Sequence, residues 1–367
     1  MLSEREQRFA PAAQPHDSRP DLQTNGDGSP MDVLVCGAQV PFTRGGAELL
    51  MDNLVEAIRA AGHRVELVRL PVAWEKDRLF DSALAWRTIP VDADLVIATN
   101  FPSYFVQHPR KVVWLLHQHR GAYDAADAGW SDIGTDDHSL EVQRLLTEWD
   151  SVALAEAQRV YTLSTVVTDR LARFNGLPSS PLYHPPPLHD RLVVGQQGGY
   201  VFCPSRLEAN KRPGLLVEAM AHVRPSVRAV LAGRGSLDGA LRGRLAALGL
   251  TDRVDLPGFV TDEALIDLFA DALAVVYAPF DEDYGYVTLQ AFLAGKPVIT
   301  ATDSGGVLEW VEDGVTGLVT DGSPEQMGAA IDRLAGDRGF AHALGQAGRA
   351  KVAGMTWEPV VAELLRR

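Results

Sequence analysis

Cysteine is scarce in this chain, with only Cys36 and Cys203 among 367 residues. Each lies in a short apolar segment typical of a buried strand, which favours reduced core thiols over a disulfide framework. Long apolar runs are also missing, and none approaches the roughly 18 residues that a membrane-spanning helix needs. We therefore expect a cytoplasmic protein with reduced cysteines and no transmembrane segment.

An excess of positive charge is absent too. The chain has 34 Lys and Arg against 48 Asp and Glu, a formal net charge of −14. Such a balance disfavours non-specific binding to nucleic acid, because the phosphate backbone is itself anionic. It also gives no support for an anionic membrane surface as a partner, although a local basic patch leaves peripheral membrane contact open.

Two familiar nucleotide-binding motifs are missing. No Walker A run occurs, which excludes nucleotide hydrolysis by that route. Gly233 and Gly235 resemble the start of a dinucleotide fingerprint, but Asp238 stands where its third glycine belongs. A nicotinamide dehydrogenase is therefore disfavoured.

The segments that are present alternate between strand and helix patterns from Asp32 onward. This alternation is typical of parallel sheets covered by helices on both faces. The helix after Gly46 carries one apolar stripe, and Gly62 is expected to end it. The predicted strands are Val33–Cys36, Val65–Leu70, Leu95–Ala98, Val112–Leu116, Val160–Leu163, Tyr200–Cys203, Arg228–Ala232, Val254–Leu256, Ala274–Ala278, Val298–Thr300 and Gly317–Thr320.

The length of the chain favours two domains. Residues 184–199 break the alternation with three prolines and a glycine-rich turn, which predicts an interdomain connection. We predict a disordered tail over residues 1–30, a Rossmann-like domain over 31–190 and a second over 191–355. A C-terminal helix over 356–367 could pack on the second domain or cross to the first.

An acidic loop follows the predicted strand Ala274–Ala278, at the sheet edge where parallel α/β proteins bind ligands. Asp281 and Asp283 could bind a divalent metal. Alternatively, Glu282 contacts sugar hydroxyls while Gly285 and Tyr286 bring backbone N–H groups close to the ligand. A solvated turn, with Asp283 near a helix N-terminus, is the structural alternative.

Two loops offer groups suited to phosphate. Gly45 and Gly46 open the first helix, where free N–H groups could meet a phosphate, although a flexible turn explains them equally well. Arg206 and Lys211 follow the first strand of the second domain, where two cations could neutralise a diphosphate. Solvated surface cations are the alternative.

Two histidines end the strand of the sequence VVWLLHQHR. Because side chains alternate along a strand, His117 and His119 are expected on one face. A metal site lacks a third ligand nearby. Contact with a sugar or phosphate suits a histidine at this edge better.

Taken in order, these motifs resemble the retaining GT-B glycosyltransferases of family 4, the glycosyl transferases group 1. The similarity covers nearly the whole chain beyond the tail. Besides Arg206, Lys211 and Glu282, the matching segments are Gly45–Glu48, Ala61–Val65, Leu256–Val260, Gly285, Gly295–Val298 and the Gly305-Gly306-x-x-Glu309 turn.

One position departs from the family pattern, whose signature places two glutamates eight residues apart. The first falls on Glu282 and the second on Gln290. Family members hold the ribose hydroxyls with the second glutamate. An amide can still accept one hydroxyl hydrogen bond, so weakened donor binding is expected.

The resemblance implies a role for each matched residue. Arg206 and Lys211 would hold the donor diphosphate, and Glu282 would orient the donor sugar. His117, in preference to His119, would take the place of the sugar-contacting histidine. Donor-binding positions implied by the match are Gly45, Gly46, Gly258, Phe259, Val260, Asp283, Tyr284, Gly285, Tyr286 and Gln290.

The resemblance also implies an α/β protein of GT-B architecture, with two Rossmann-like domains facing a central cleft. It would move a hexosyl-type sugar from a UDP- or GDP-sugar to a hydroxyl of a sugar, glycolipid or small molecule. The mechanism would be front-face and metal-independent, with no cofactor beyond the donor substrate. Loops Asn100–Val106 and Arg120–Asp137 are expected to choose the acceptor.

Two other functions fit the pattern less well. A catalytically drifted nucleotide-sugar-binding protein of the same shape is the alternative, motivated by Gln290. A retaining phosphorylase of similar shape is disfavoured because the chain is short and offers no evident lysine for pyridoxal phosphate.

Overall fold

The computed structural model describes residues 30–42, 44–124, 126 and 133–366. Nearly all of the predicted tail lies outside the described residues. So do Thr43, beside the Gly45-Gly46 turn, and part of the loop Arg120–Asp137.

The first half of the chain forms a parallel sheet of six strands in the order β2-β1-β3-β4-β5-β6. Val33 of the first strand lies opposite Val65 on one side and Leu95 on the other. The sixth strand has two residues, too few to carry a sequence pattern, and was not predicted. The strands are β1 (Asp32–Gln39), β2 (Arg64–Pro71), β3 (Leu95–Ala98), β4 (Lys111–Leu115), β5 (Arg159–Thr162) and β6 (Ser180–Pro181).

The second half forms another six-stranded parallel sheet, in the order β12-β11-β10-β7-β8-β9. All six of its strands were predicted, and β10 lies near the centre because its run is apolar throughout. The strands are β7 (Tyr200–Pro204), β8 (Arg228–Ala232), β9 (Val254–Gly258), β10 (Ala274–Val276), β11 (Val298–Ala301) and β12 (Gly317–Thr320).

Helices connect the strands and cover both sheets. The apolar stripe predicted for the first helix consists of Leu50, Leu54, Ile58 and Ala61. The first three are buried, whereas Ala61 lies past the end of the helix and is exposed. The helices are α1 (Gly46–Ala60), α2 (Leu79–Thr88), α3 (Asp137–Ala155), α4 (Thr165–Asn175), α5 (Pro213–Ala219), α6 (Asp238–Leu248), α7 (Asp262–Asp271), α8 (Tyr286–Leu293), α9 (Pro324–Gly336), α10 (Arg338–Val352) and α11 (Trp357–Leu365). No helix in the described part of the chain is both long and apolar enough to cross a membrane.

The two halves share one apolar core. It runs from Leu54 and Trp114 of the first half to Phe292 and Val307 of the second. The predicted connection is irregular, and His184 to Pro187 in it are buried. The connection is therefore packed against the core that both halves share, and is not an exposed linker.

The last helix crosses to the first half. The Tyr161 hydroxyl donates to Glu363 of α11 at 2.6 Å, and the rings of Trp357 and Trp114 lie edge to face at 6.2 Å. Of the two placements left open by the sequence, α11 therefore takes the one on the first sheet.

Candidate active site

The acidic loop connects β10 to α8 at the carboxyl edge of the second sheet. Strand β10 ends at Val276, two residues earlier than predicted. Beyond the strand, the Arg212 guanidinium donates to the carbonyl oxygens of Ala278 at 2.8 Å and Pro279 at 2.9 Å. The loop closes at Gly285, whose φ of +85° favours glycine.

Glu282 is held by the glycine pair of the next turn. The Gly306 N–H donates to the Glu282 carbonyl oxygen at 2.7 Å, and the Glu282 N–H donates to that of Ser304 at 3.3 Å. A Cβ atom at Gly305 would lie 2.6 Å from the Glu282 carbonyl oxygen. Both glycines of the Gly-Gly-x-x-Glu motif thus allow the two backbones to touch.

Lys211 and Glu282 meet beside Tyr277, and Arg206 lies near enough for its charge to act on the Tyr277 hydroxyl. The Glu282 carboxylate pairs with the Lys211 ammonium and accepts from the Tyr277 hydroxyl at 3.0 Å. Burial and the charge of Glu282 raise the pKa of Tyr277 well above its ordinary value, and the nearby charge of Arg206 opposes this. Arg206 itself is exposed.

Asp281 and Asp283 face arginines of the other half, contrary to both the metal and the solvated-turn interpretations. Arg120 pairs with the Asp281 carboxylate, and Arg170 lies 2.8 Å from that of Asp283. The side chain of Asp283 is 16% exposed. Carboxylates already paired with guanidinium groups are poorly suited to binding a divalent cation.

His117 and His119 lie beyond the end of β4, so the expectation that they share one face is wrong. His117 is placed beside Asp283: burial lowers its pKa, and the Asp283 carboxylate opposes this. His119 packs between Trp74 and Phe101, with ring centroids 5.7 Å from each. Only His117 borders the acidic loop.

Gly45 and Gly46 face the same loop from the first half. Gly45 caps α1, and a Cβ atom on Gly46 would lie 3.3 Å from the ring of Tyr286. The Tyr286 hydroxyl in turn lies 2.7 Å from His184 Nε2, and the ring of Tyr284 stacks on His184 at 4.4 Å. The side chains of both tyrosines therefore join the halves, which leaves only their backbones for a ligand.

Gly258 and its neighbours lie at the end of β9. The φ of Gly258 is +78°, and its carbonyl oxygen accepts from the Gly233 N–H at 2.8 Å. Phe259 is 70% exposed, whereas Val260 packs partly against the core. An exposed aromatic at this edge is compatible with the predicted place for the base.

Gln290 lies one helical turn after Tyr286 and is buried, with 7% exposure. Its Nε2 donates to the Pro187 carbonyl oxygen at 3.1 Å. The amide is thus engaged with the interdomain connection, a contact that the family pattern did not indicate.

The loop Asn100–Val106 does not have the predicted role in choosing an acceptor. All seven of its residues are buried, and Phe101, Tyr104 and Phe105 form part of the core beneath α2 and α3. Asn100 accepts from the Ala38 N–H at 2.9 Å. The aromatic content of this segment was the signal for a core role.

Sequence reasoning missed several residues at the junction. Arg120 follows the two histidines directly, which could have drawn attention to it. Arg170 lies inside α4 with no sequence signal that distinguishes it from a surface arginine. The partner of Glu309 was also missed: its carboxylate accepts from the backbone N–H of Thr165 at 2.8 Å.

Residues 188–351 match the model of the family described as glycosyl transferases group 1. Similar curated proteins include the GDP-mannose-dependent alpha-(1-6)-phosphatidylinositol monomannoside mannosyltransferase of Mycobacterium tuberculosis, 39% identical over 189 residues, which are 48% of this chain and 49% of that protein. The D-inositol 3-phosphate glycosyltransferase of Salinispora arenicola is 30% identical over 188 residues, 48% of this chain and 42% of that protein. The chain thus matches less than half the length of these curated relatives.

Solved structures match over most of the chain. HepE of Anabaena, in complex with UDP and glucose, has a TM-score of 0.67 at 18% identity, covering 90% of this chain and 97% of that one. Sucrose-phosphate synthase of Thermosynechococcus elongatus has a TM-score of 0.75 at 19% identity, with the same coverage. The architecture is the predicted GT-B fold, with two Rossmann-like sheets.

Proposed function

Because the chain belongs, through residues 188–351, to the glycosyl transferases group 1 family, we propose that it is a retaining glycosyltransferase. It moves a hexosyl-type sugar from a UDP- or GDP-sugar to an acceptor hydroxyl. The proposal covers the roles of Arg206, Lys211, Glu282 and His117.

The observation that carries the proposal is the ion pair of Lys211 and Glu282 beside Arg206. The side chains of Lys211 and Glu282 are only 15% and 18% exposed. When a donor binds, two new contacts can replace this ion pair. The diphosphate of the donor pairs with the Lys211 ammonium, and the hydroxyls of its sugar donate to the Glu282 carboxylate. Hydrogen bonds to charged groups contribute about 1.5–3 kcal/mol each, which makes such an exchange favourable.

The reaction follows from this exchange. The bond between the sugar C1 and the diphosphate oxygen breaks while Arg206 and Lys211 stabilise the departing charge. The acceptor hydroxyl oxygen forms the new bond on the same face, and its proton passes to the departing phosphate oxygen. Glu282 orients the sugar and does not become covalently bound, so no side-chain nucleophile is needed.

Relatives support the class of donor rather than its identity. One similar curated protein is named for GDP-mannose, and one structure of the same fold contains UDP-glucose. We extend the proposal to a UDP- or GDP-hexose donor and to a sugar, glycolipid or small-molecule acceptor, with peripheral membrane contact left open. The cytoplasmic location stays a prediction from the sequence.

Thermal-shift measurements with a panel of UDP- and GDP-sugars, in excess chelator, test the proposal. A donor at a hundred times its dissociation constant should add about 2.7 kcal/mol to the free energy of unfolding. Glycosyl transfer from that donor is then measured in the same chelator. Absence of any donor-induced shift, or complete dependence of transfer on a divalent ion, would contradict the proposal.

Glu282→Gln is the informative variant, since it keeps the size of the side chain and removes its charge. We expect it to abolish transfer and to keep the shift produced by the nucleoside diphosphate. Glu325→Gln is the matched control, because the side chain of Glu325 is 68% exposed on the same domain. It should leave both readouts unchanged.

A nucleotide-sugar-binding protein without catalysis is the second candidate. The hydrogen bond from Gln290 to Pro187 favours this candidate. Because the Gln290 amide nitrogen donates to the Pro187 carbonyl oxygen, it is not free to donate to a ribose hydroxyl. Donor-induced stabilisation without any transfer would support this candidate. Transfer by the wild type that Glu282→Gln abolishes would rule it out.

A further inference from the structure

Two arginines of the first half and three acids form a cluster at the junction, which we call the arginine clamp. Its members are Arg120, Arg170, Asp124, Asp281 and Asp283. The side chains of Arg170 and Arg120 are 3% and 16% exposed. Asp124 belongs to the first half, whereas Asp281 and Asp283 belong to the acidic loop of the second.

The contacts of the clamp cross between the halves. Arg120 Nη1 donates to the Asp281 carbonyl oxygen at 2.7 Å and its Nη2 pairs with the Asp281 carboxylate. Arg170 Nη2 lies 2.8 Å from Asp283 Oδ1 and 3.7 Å from Asp281 Oδ2. Each acid of the loop is therefore held by a cation from the opposite wall.

Asp124 keeps the two guanidinium groups in place. Arg170 Nε donates to Asp124 Oδ2 at 2.5 Å, and Arg120 Nη2 lies 3.2 Å from the same oxygen. Both arginines thus contact the same carboxylate of their own half, in addition to the acids of the second half. Asp124 thus fixes the position of one guanidinium group relative to the other.

Glu282 lies between the two acids that the clamp holds. Its own carboxylate contacts Lys211 and Tyr277 and no member of the clamp. The turn of Ser304 and Gly306 fixes its backbone from within the second half. The clamp supplies the remaining constraint, from the side of the first half.

The electrostatics fit a contact that is made with charged partners. Burial alone would raise the pKa of Asp283, but Arg170 and Arg120 hold it below its ordinary value. Burying a carboxylate costs free energy unless the carboxylate is paired with a cation. Separating Asp283 from both arginines while it stays buried would therefore destabilise the protein. Separation of the halves would expose the loop and release it.

The clamp also connects the acidic loop with the segment that follows β4 in the first half. Arg120 starts the segment that follows His117 and His119, and Asp124 lies in the same segment. The charge of Asp283 also acts on His117, where it opposes the lowering of the pKa by burial. A change in the position of this segment is therefore transmitted to the loop that carries Glu282.

We propose that Arg120 and Arg170 are positioning residues, which fix the acidic loop so that Glu282 orients the donor sugar only while the two halves are closed. This inference rests on the proposed function, since it assigns Glu282 the sugar. Arg206, Lys211 and the end of β9 all belong to the second half. Gly45 and Gly46 of the first half are not members of the clamp either, so we expect changes in the clamp to have little effect on binding of the nucleoside diphosphate by itself.

The test compares Arg170→Met, Asp283→Ala and the double variant with the wild type. Titration calorimetry with UDP and GDP gives the affinity for the leaving group, and initial rates give kcat and the donor KM. Arg144→Met is the matched control, because Arg144 forms ion pairs only on the exposed face of α3. Circular dichroism and thermal unfolding verify that each variant folds.

We expect Arg170→Met to lower kcat about 100-fold, the effect of a displacement of about 1 Å at a catalytic group. Its affinity for the nucleoside diphosphate should stay within about twofold of the wild type, since no diphosphate contact changes. Because Arg170 and Asp283 act as one pair, the double variant should lose no more kcat than the worse of the two single variants, whereas independent defects would multiply. Arg170→Lys should retain more activity than Arg170→Met.

Three results would overturn the inference: an unchanged kcat in Arg170→Met, a parallel loss of kcat and of nucleoside diphosphate affinity, or a double variant whose loss of kcat is the product of the two single losses. A wild type that neither binds nor turns over any nucleotide sugar would instead refute the proposed function, and the positioning role with it. Normal wild-type turnover together with any of the three results refutes the positioning role alone.

Discussion

Gln290 donates its Nε2 hydrogen to the carbonyl oxygen of Pro187, 3.1 Å away, inside the buried connection between the halves. A carbonyl oxygen can only accept, so this partner requires a donor on the side chain. A carboxylate at the same position would place two acceptors opposite each other. Glutamine, which departs from the family signature here, thus supplies the hydrogen-bond donor that the Pro187 carbonyl oxygen needs.

Gln290→Glu should consequently destabilise the protein rather than improve it. A buried acceptor left without its donor costs about 1–3 kcal/mol, which urea unfolding measures. Gln326→Glu is the matched control, because the Gln326 oxygen accepts from the Asp321 N–H at 3.2 Å and a carboxylate can replace it. Equal or greater stability of Gln290→Glu would contradict this account of the position.

Among individual residues, the sequence predicted candidate site residues whose contacts lie within one half of the molecule. Lys211 and Glu282 belong to motifs with fixed spacing, and their side chains form an ion pair. Arg170 could not be predicted, because its partners Asp283 and Asp281 are more than a hundred residues away. Nothing in a local pattern records such a distant pair.

Helix α4 shows that a secondary-structure element, too, combines contacts within its own half with contacts from the other half. Its own N-cap, Ser164, accepts from the Val167 N–H at 3.3 Å, as an N-cap serine does. The remaining N–H groups of Thr165 and Val166 are satisfied by Glu309 of the other half, at 2.8 Å and 3.3 Å. The macrodipole of the helix favours this negative charge.

Glu309→Ala should expose the first turn of α4. Loss of a cap costs about 0.5–2 kcal/mol, so amide exchange in residues 164–167 should accelerate by roughly 2- to 30-fold. Hydrogen exchange measured by mass spectrometry follows that peptide, with α9 as an internal reference. Glu312→Ala, an exposed acid three residues further on, should leave it unchanged. Unaltered protection of α4 in Glu309→Ala would show that the contact does not hold the helix.

Strands were predicted well because eleven of them carry apolar runs of ordinary length, and all eleven are present. The elements that escaped were short or irregular. β6 has two residues, and the segment Asn100–Val106 is a buried loop rather than a binding loop. Burial of a loop depends on the helices that cover it, which a single stretch of sequence does not specify.

For the whole molecule, the decisive feature is the buried joint around His184. Its ring stacks on Tyr284 and lies 5.0 Å from Trp114 and 5.5 Å from Trp357, which come from three separate segments. Burial lowers the pKa of His184 to about 3. The imidazole is therefore neutral in the closed molecule at neutral pH.

This joint predicts acid sensitivity. The pKa of His184 in the folded protein is below its ordinary value of 6.5, so the unfolded chain binds the proton first. The contribution of neutral His184 is complete above about pH 6.5 and falls as the pH drops toward 3, by at most about 1.4 kcal/mol per pH unit. His184→Gln should remove this part of the pH dependence of urea unfolding.

His342→Gln is the control for that measurement, because His342 is exposed on the surface of α10. Its pH profile should match that of the wild type. If the profiles of His184→Gln and the wild type were parallel between pH 6.5 and 4.5, the joint would not be the source of the acid sensitivity.

The central claim is that paired cations release a nucleoside diphosphate while the acceptor attacks the same face of the sugar. Proton NMR of the product, formed from an α-linked UDP- or GDP-hexose in excess chelator, tests it most directly. The account predicts an α-linked product from the wild type and none from Glu282→Gln. A β-linked product would contradict it.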